Sequence, residues 1–199
     1  KIDKIFINIS FNNQLKIEKE REEVIKIVDA SNSTENYTFA FNYYNAEVSF
    51  NNKSYKTNIK LKGDRDIHWR EKSKSSYRIN LKKDGRILGL KTFSLQKPRV
   101  RNYIYEWIFH ELNSEKDSIK LKYEFVNLYL NGEDLGLYII EEFFSKELLE
   151  RNRRRNGPIF SVQENFQTNF TNTKFEVYDK KTWLNEKNIE LTKNALNKL

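Results

Sequence analysis

Polar and apolar positions alternate most cleanly between Leu121 and Glu142 (LKYEFVNLYLNGEDLGLYIIEE). In Leu121–Leu130 and again in Leu135–Glu142, β-branched, aromatic and aliphatic side chains dominate and fall on two faces, which predicts two strands. Asn131-Gly132 joins them as a hairpin turn, because both residues tolerate positive φ. Two carboxylates, Glu141 and Glu142, close the second strand, where an apolar sheet gives way to something polar. The same alternation predicts a first strand at Lys4–Ser10. It predicts a hairpin of Ala46–Phe50 and Tyr55–Lys62 around Asn51-Asn52-Lys53, and a strand at Ser76–Leu81 returning through Asp84-Gly85 to Ile87–Leu95.

Other stretches repeat at helical spacing. Asn13–Val28 is charged and moderately periodic, which predicts a surface helix. Val100, Ile104, Trp107 and Ile108 fall on one face of a helix over Val100–Leu112, with Trp107 expected in the core. Ser145 is expected to cap a third helix that carries Glu147 in its first turn and ends in Arg151, Arg153, Arg154 and Arg155, before Gly157-Pro158. Acid at the front and base at the back suit the helix dipole, so these arginines read as capping and solvation. Ile159–Val162 and Lys174–Tyr178 are short strands. Glu186–Leu199 is a last helix with Ile189, Leu196 and Leu199 on a stripe. Asp29–Tyr37 and Gln163–Thr173 read as loops. Gly63–Ser75 is a long polar connection in which Trp69 either covers a pocket or stays half buried. The fold class expected is α+β: an antiparallel, hairpin-rich sheet of about five to seven strands with packed helices.

Composition narrows the chemistry. There is no Cys, which excludes a disulfide framework and thiolate zinc sites. A formal charge of +8 points to anionic partners, namely nucleotide phosphates, nucleic acid or an acidic protein, unless it reflects a Lys-rich composition alone. The positive charges are spread along the chain without a compact basic-aromatic face, so no DNA or RNA is expected. No stretch approaches the ~20 apolar residues of a membrane span. No secretory signal pattern stands at Lys1, and the absence of Met reads as a mature or excised piece.

His68 and His110 form no HExxH-type pair, so hydrolytic zinc is not expected. There is no G-x-S-x-G elbow and no G-x-G-x-x-G. Gly85–Gly89 (GRILG) lacks the Lys-Ser/Thr of a phosphate-binding P-loop. Phosphoryl transfer needs mainly positioning and charge neutralisation by Lys, Asp, Glu, Asn and metal ions, and it stays open.

An ordered set of residues carries a resemblance. It comprises Lys62-Gly63, Lys74–Ile79 (KSSYRI), Leu88–Lys91 with Leu95, Arg101-Asn102, Asn127–Gly132 and Gly136–Glu142 (GLYIIEE). From about Tyr55 to Glu164 the chain resembles the CotH (spore coat protein H) kinase family, an atypical protein-kinase-like fold. The resemblance implies binding of ATP with Mg²⁺ and phosphorylation of Ser/Thr on a coat or surface protein. It also implies a bacterial secreted, cell-surface or coat-associated setting. Residues 1–144 would form the N-lobe, and 145–199 a linker and the start of a helical lobe. Lys74 would reach the phosphates. Arg78, on the same face as Ser76, would add charge there or pair with Glu141 or Glu142. Glu142 and Phe143 would form the hinge facing adenine. Arg101 and Asn102 would open a helix on the phosphate side. Gly63 would let the backbone approach a ligand or simply turn the chain.

The metal-holding and acceptor-orienting acids are expected beyond Leu199, since Asp179 and Glu186 match no family pattern. This stretch alone is therefore expected to be inactive. The alternative is a non-enzymatic coat or surface-assembly scaffold, or a pseudokinase used for interaction. The central expectation is that Lys74 and Glu142 converge on one cleft.

Overall fold

The computed structural model describes residues 2–30, 39–63, 65–113, 118–163 and 174–198. The loop expectations at 31–37 and 164–173, and the place of Leu199 on the last stripe, lie outside the described residues. The chain divides into two units, Lys1–Phe143 and Phe144–Leu199.

The first unit contains β1 (Asp3–Ile9), α1 (Phe11–Ala30), β2 (Tyr44–Phe50), β3 (Lys53–Leu61), β4 (Tyr77–Leu81), β5 (Thr92–Gln96), α2 (Tyr105–Leu112), β6 (Tyr123–Leu130) and β7 (Glu133–Glu142). Alternation drives the strands. Ile5, Ile7, Val48, Ile59, Ile79, Phe93, Leu95, Leu128 and Ile140 all turn inward and are fully buried. Each such side chain contributes roughly 1.5–3 kcal/mol on leaving water. The turns follow local chemistry, with Asn51 and Asn52 at φ 48° and 60° and Asn131 and Gly132 at 50° and 87°.

The expected antiparallel, hairpin-rich sheet with packed helices, like the N-lobe of a kinase, is corrected to a closed barrel of mixed strand direction. The seven strands form a closed barrel in the order β1-β2-β3-β4-β5-β7-β6. Two long-range pairings make it a barrel. β5 skips its sequence neighbour and pairs with β7, Leu95 opposite Ile140. β1 then lies parallel to β6, from Asp3 against Val126 to Ile7 against Leu130. Closure removes the open sheet edges that would otherwise invite aggregation. Asn131 latches this seam. Its amide donates to the Ile7 carbonyl at 2.8 Å, and its Oδ1 accepts the Ile9 amide at 2.7 Å.

The helix expected over Val100–Leu112 is also revised. Pro98–Arg101 is a short 3-10 turn, and Asn102 and Tyr103 both take positive φ, at 49° and 62°. Two left-handed residues in succession break any continuous helix. The apolar stripe is split, and Trp107 is 39% exposed rather than core. The long helix of the unit is α1 instead, which buries Ile17, Arg21 and Val24.

The connection after β3 is not a loose polar loop. His68, Trp69, Ser75 and Ser76 are buried in it. The Trp69 indole N–H donates to the Gly63 carbonyl at 3.3 Å, and Tyr138 Oη donates to the Ser75 carbonyl at 3.1 Å. Trp69 thus belongs to the core.

The second unit contains α3 (Lys146–Arg151), β8 (Phe160–Gln163), β9 (Lys174–Val177), α4 (Lys180–Trp183) and α5 (Ile189–Leu196). β8 and β9 pair as an antiparallel hairpin, and the Phe144 and Tyr178 rings lie 4.8 Å apart. No described helix is long and apolar enough to cross a membrane.

Candidate functional site

The strands that point Ile59, Ile79, Leu95 and Ile140 into the barrel point their neighbours outward, because side chains alternate with period two. On that outer face, residues directly opposite one another run Lys60–Arg78–Ser94–Glu141–Tyr123 across β3, β4, β5, β7 and β6. Lys62 and Gln96 sit two positions along from Lys60 and Ser94. This polar row is itself covered: Ser94 and Gln96 are fully buried, and Glu141 is 5% exposed.

Glu141 is the hub. Arg101 grips it with two prongs, Nε to Oε2 and Nη2 to Oε1, each at 3.1 Å. Gln96 donates its side-chain amide to Oε2 and accepts from Lys62 Nζ at 2.8 Å. Lys62 Nζ also reaches Glu141 Oε1 at 3.5 Å. Two cations therefore face one buried carboxylate. Burial pushes the Glu141 carboxyl up, but the Lys62 and Arg101 charges, with hydrogen bonds from Arg101 and Gln96, outweigh it and hold the group ionised below its usual range. Lys62 is also lowered, which for an amine disfavours the charged form. Burial brings its ammonium down to about 8, Glu141 opposes, and the neighbouring Arg78 and Arg101 charges add to the depression. Beside the hub, Tyr123 is pushed well up, first by burial and then by the Glu141 charge.

Lys62 opens onto a cleft of about 270 Å³ lined by Phe39, Phe41, Tyr43, Lys60, Leu61, Lys62, Gly63, Arg78 and Phe143. Two of its cations lie over aromatic rings. The Arg78 guanidinium is 4.2 Å from the Phe143 ring centre, and Lys60 Nζ is 4.8 Å from that of Tyr43. Such contacts hold a cation in place without cancelling its charge, and are worth roughly 0.5–2 kcal/mol each. A pocket with three cationic lining residues and an aromatic wall suits an anionic ligand that carries a flat ring.

The residues singled out from sequence are distributed as follows. Gly63, Arg78 and Phe143 line the cleft; Arg101 is outside the lining and grips Glu141, which in turn reaches Lys62. Lys74 ends a 3-10 turn, Lys72–Lys74, and is exposed outside the cleft lining. Glu142 is buried, but its Oε2 accepts the Lys122 amide at 2.9 Å, which fastens the end of β7 to the start of β6. The structure therefore does not bring Lys74 and Glu142 together in the cleft. The amides of Glu142 and Phe143, the residues expected to form the hinge, are engaged in the sheet: Glu142 donates to the Lys122 carbonyl at 3.0 Å and Phe143 to Thr92 at 3.3 Å. The ring of Phe143, rather than its amide, faces the cleft. Asn102 is exposed and opens no helix, and its amide donates to the Arg99 carbonyl at 3.3 Å. Gly63 has φ 108°, and a Cβ there would fall 2.2 Å from the His68 ring. The close neighbour that requires glycine is His68.

Sequence reasoning passed over Lys62 as a ligand-facing cation, although Lys62-Gly63 stood in the family pattern. It also passed over the aromatic alternation in Phe39–Tyr43 (FAFNY). The signal for Lys62 was parity: it shares the polar face of β3 with Lys60. Among the described residues no three His, Asp or Glu gather into a metal cage. The cleft offers cations for phosphate, and a divalent ion would draw on carboxylates from elsewhere.

Comparison with curated proteins finds no match. The family model described as CotH kinase protein matches residues 59–199, which is more than two thirds of the chain and includes Lys62, Arg78, Gln96, Arg101 and Glu141. The chain belongs to the CotH kinase family.

Proposed function

We propose that the cleft beside Lys62 binds ATP, and that this chain is the nucleotide-binding portion of a kinase that transfers phosphate to Ser/Thr of a coat or surface protein. One observation carries the reading. The Lys62 side chain is only 12% exposed, tethered by Glu141 and Gln96, and opens onto a cleft that also holds Arg78 and Lys60. A lysine positioned by a carboxylate against phosphates is what phosphoryl transfer asks of its scaffold, because that chemistry relies on positioning and charge. The resemblance-based role of Lys74 passes to Lys62 in this reading. Arg101 and Gln96 act as positioning residues: they hold Glu141, and Glu141 holds Lys62. Magnesium would enter with the nucleotide phosphates.

Titration of MgATP into the 199-residue chain by calorimetry tests the proposal. Saturable one-to-one binding is expected at or below millimolar nucleotide. No heat at millimolar ATP would overturn it. That outcome would favour the assembly-scaffold reading, which one observation supports: Tyr103, Ile104, Tyr105, Trp107, Phe109 and Leu112 of α2 and its approach are all exposed. A run of exposed large apolar side chains marks an interaction surface.

A further inference from the structure

The cleft is built from two parts of the chain. Residues inside the family-matched stretch supply Lys60, Lys62, Arg78 and Phe143. Phe39, Phe41 and Tyr43 come from before it, on the strip of chain that leads into β2. All three rings line the cleft, and the intervening Ala40 and Asn42 do not.

The strip is held in place from behind. Glu20 of α1 accepts the Asn42 backbone amide at 3.3 Å, the Asn42 side-chain amide at 2.5 Å and the Tyr44 hydroxyl at 2.8 Å. Phe39 meets the buried Trp69 edge-on at 5.9 Å and lies 6.4 Å from Phe41. Trp69 in turn holds the Gly63 carbonyl at the cleft. Tyr43 carries Lys60 and is still 44% exposed. The wall is fixed by a carboxylate that lies outside the cleft lining, and Tyr43 keeps nearly half of its surface exposed.

We infer that the Phe39–Tyr43 strip is the base-recognition wall of this cleft: it selects ligands that carry an aromatic base on their phosphates over bare polyphosphate. The inference rests on the nucleotide reading above and deepens it. The cations contact the phosphate end and gain nothing from the base. The rings stack on the base and gain nothing from phosphate. The strip thus adds rings to the cations of the matched stretch, and Tyr43 also holds Lys60 in place. Glu20 acts as a positioning residue, because it touches the strip and lies outside the cleft lining.

The experiment compares two ligands, MgATP and magnesium tripolyphosphate, titrated into the intact chain and into Tyr43→Ala, Phe39→Leu and Glu20→Gln. The unmodified chain is expected to prefer ATP by about tenfold or more, the scale of one base–aromatic stack. Tyr43→Ala, which also frees Lys60, should weaken both ligands but ATP the more, whereas Phe39→Leu should shrink that preference by weakening ATP alone, with tripolyphosphate changed less than about twofold. Glu20→Gln should do the same to a smaller degree, which a purely structural role in α1 would not produce. Equal weakening of both ligands would overturn the inference and leave the phosphate site standing. So would equal affinity of the unmodified chain for both. If neither ligand binds, the nucleotide reading itself falls and the inference falls with it.

Discussion

The inner and outer faces of β3, β4, β5 and β7 are one residue apart in sequence and differ in everything else. Inward, Ile59, Ile79, Leu95 and Ile140 fill the barrel and are fully buried. Outward, Lys60, Arg78, Ser94 and Glu141 form a cross-strand polar row beside Lys62 and Gln96. The inner face is stabilised by apolar area, which tolerates any side chain of the right volume. The outer face holds charges close together at a cost in desolvation, which only paired geometry offsets. Cations gathered around one carboxylate do little for stability that leucines would not do better. Their arrangement makes sense for a ligand.

The largest effect separating the two faces is expected inside. Ile79→Ala should lower unfolding free energy by about 2–5 kcal/mol in urea titration, because a fully buried branched side chain leaves a cavity in a closed barrel. Ligand affinity at temperatures where the variant is folded should be unchanged. A stability loss under about 1 kcal/mol would mean that the barrel interior is poorly packed.

Glu141→Gln comes next. It leaves Lys62 and Arg101 facing each other without their shared carboxylate, and should cost about 3 kcal/mol. In contrast to Ile79→Ala, it should also disturb ligand binding, since Lys62 loses its tether. An unaltered affinity would show that Lys62 is held by Gln96 alone.

The smallest effect is on pH, and its sign differs between stability and binding. Lys62 lies at about 8 against an ordinary 10.5. Between those values the unfolded chain binds the extra proton, so the Lys62 contribution to stability rises with pH across that window. Anion binding runs the opposite way: it should weaken as pH rises through about 8, where Lys62 loses its charge. Calorimetric titrations of MgATP at pH 7 and pH 9 check this. Lys62→Arg, whose charge persists, should flatten the profile.

The fold was legible wherever information is local. Alternation placed β1, the β2–β3 hairpin, β4 and the β6–β7 hairpin, and Asn131-Gly132 announced its turn. Closure was not legible. β1 meets β6 across more than a hundred residues, and no pattern within either strand names its partner. The helix expected over Val100–Leu112 failed because Asn102 and Tyr103 take left-handed φ, which an apolar spacing of three and four does not reveal. The resemblance directed attention to Gly63, Arg78 and Phe143, which line the cleft, and to Arg101, which grips Glu141. It favoured Lys74 over Lys62, because a lysine among exposed lysines and a lysine beneath a buried carboxylate look alike in sequence. Glu141 and Glu142 posed the same ambiguity. Parity alone separates them, with Glu141 turned to the cleft row and Glu142 to the end of the barrel.

The account is tested most directly by the MgATP affinity of Lys62→Ala set beside that of Lys74→Ala. Loss of the partly buried, tethered cation should weaken binding by about tenfold or more, the scale of one charge-assisted hydrogen bond, while loss of the exposed lysine should change it by less than about twofold. The reverse ranking, or equal effects from the two, would contradict the assignment of the cleft at Lys62 as the phosphate site.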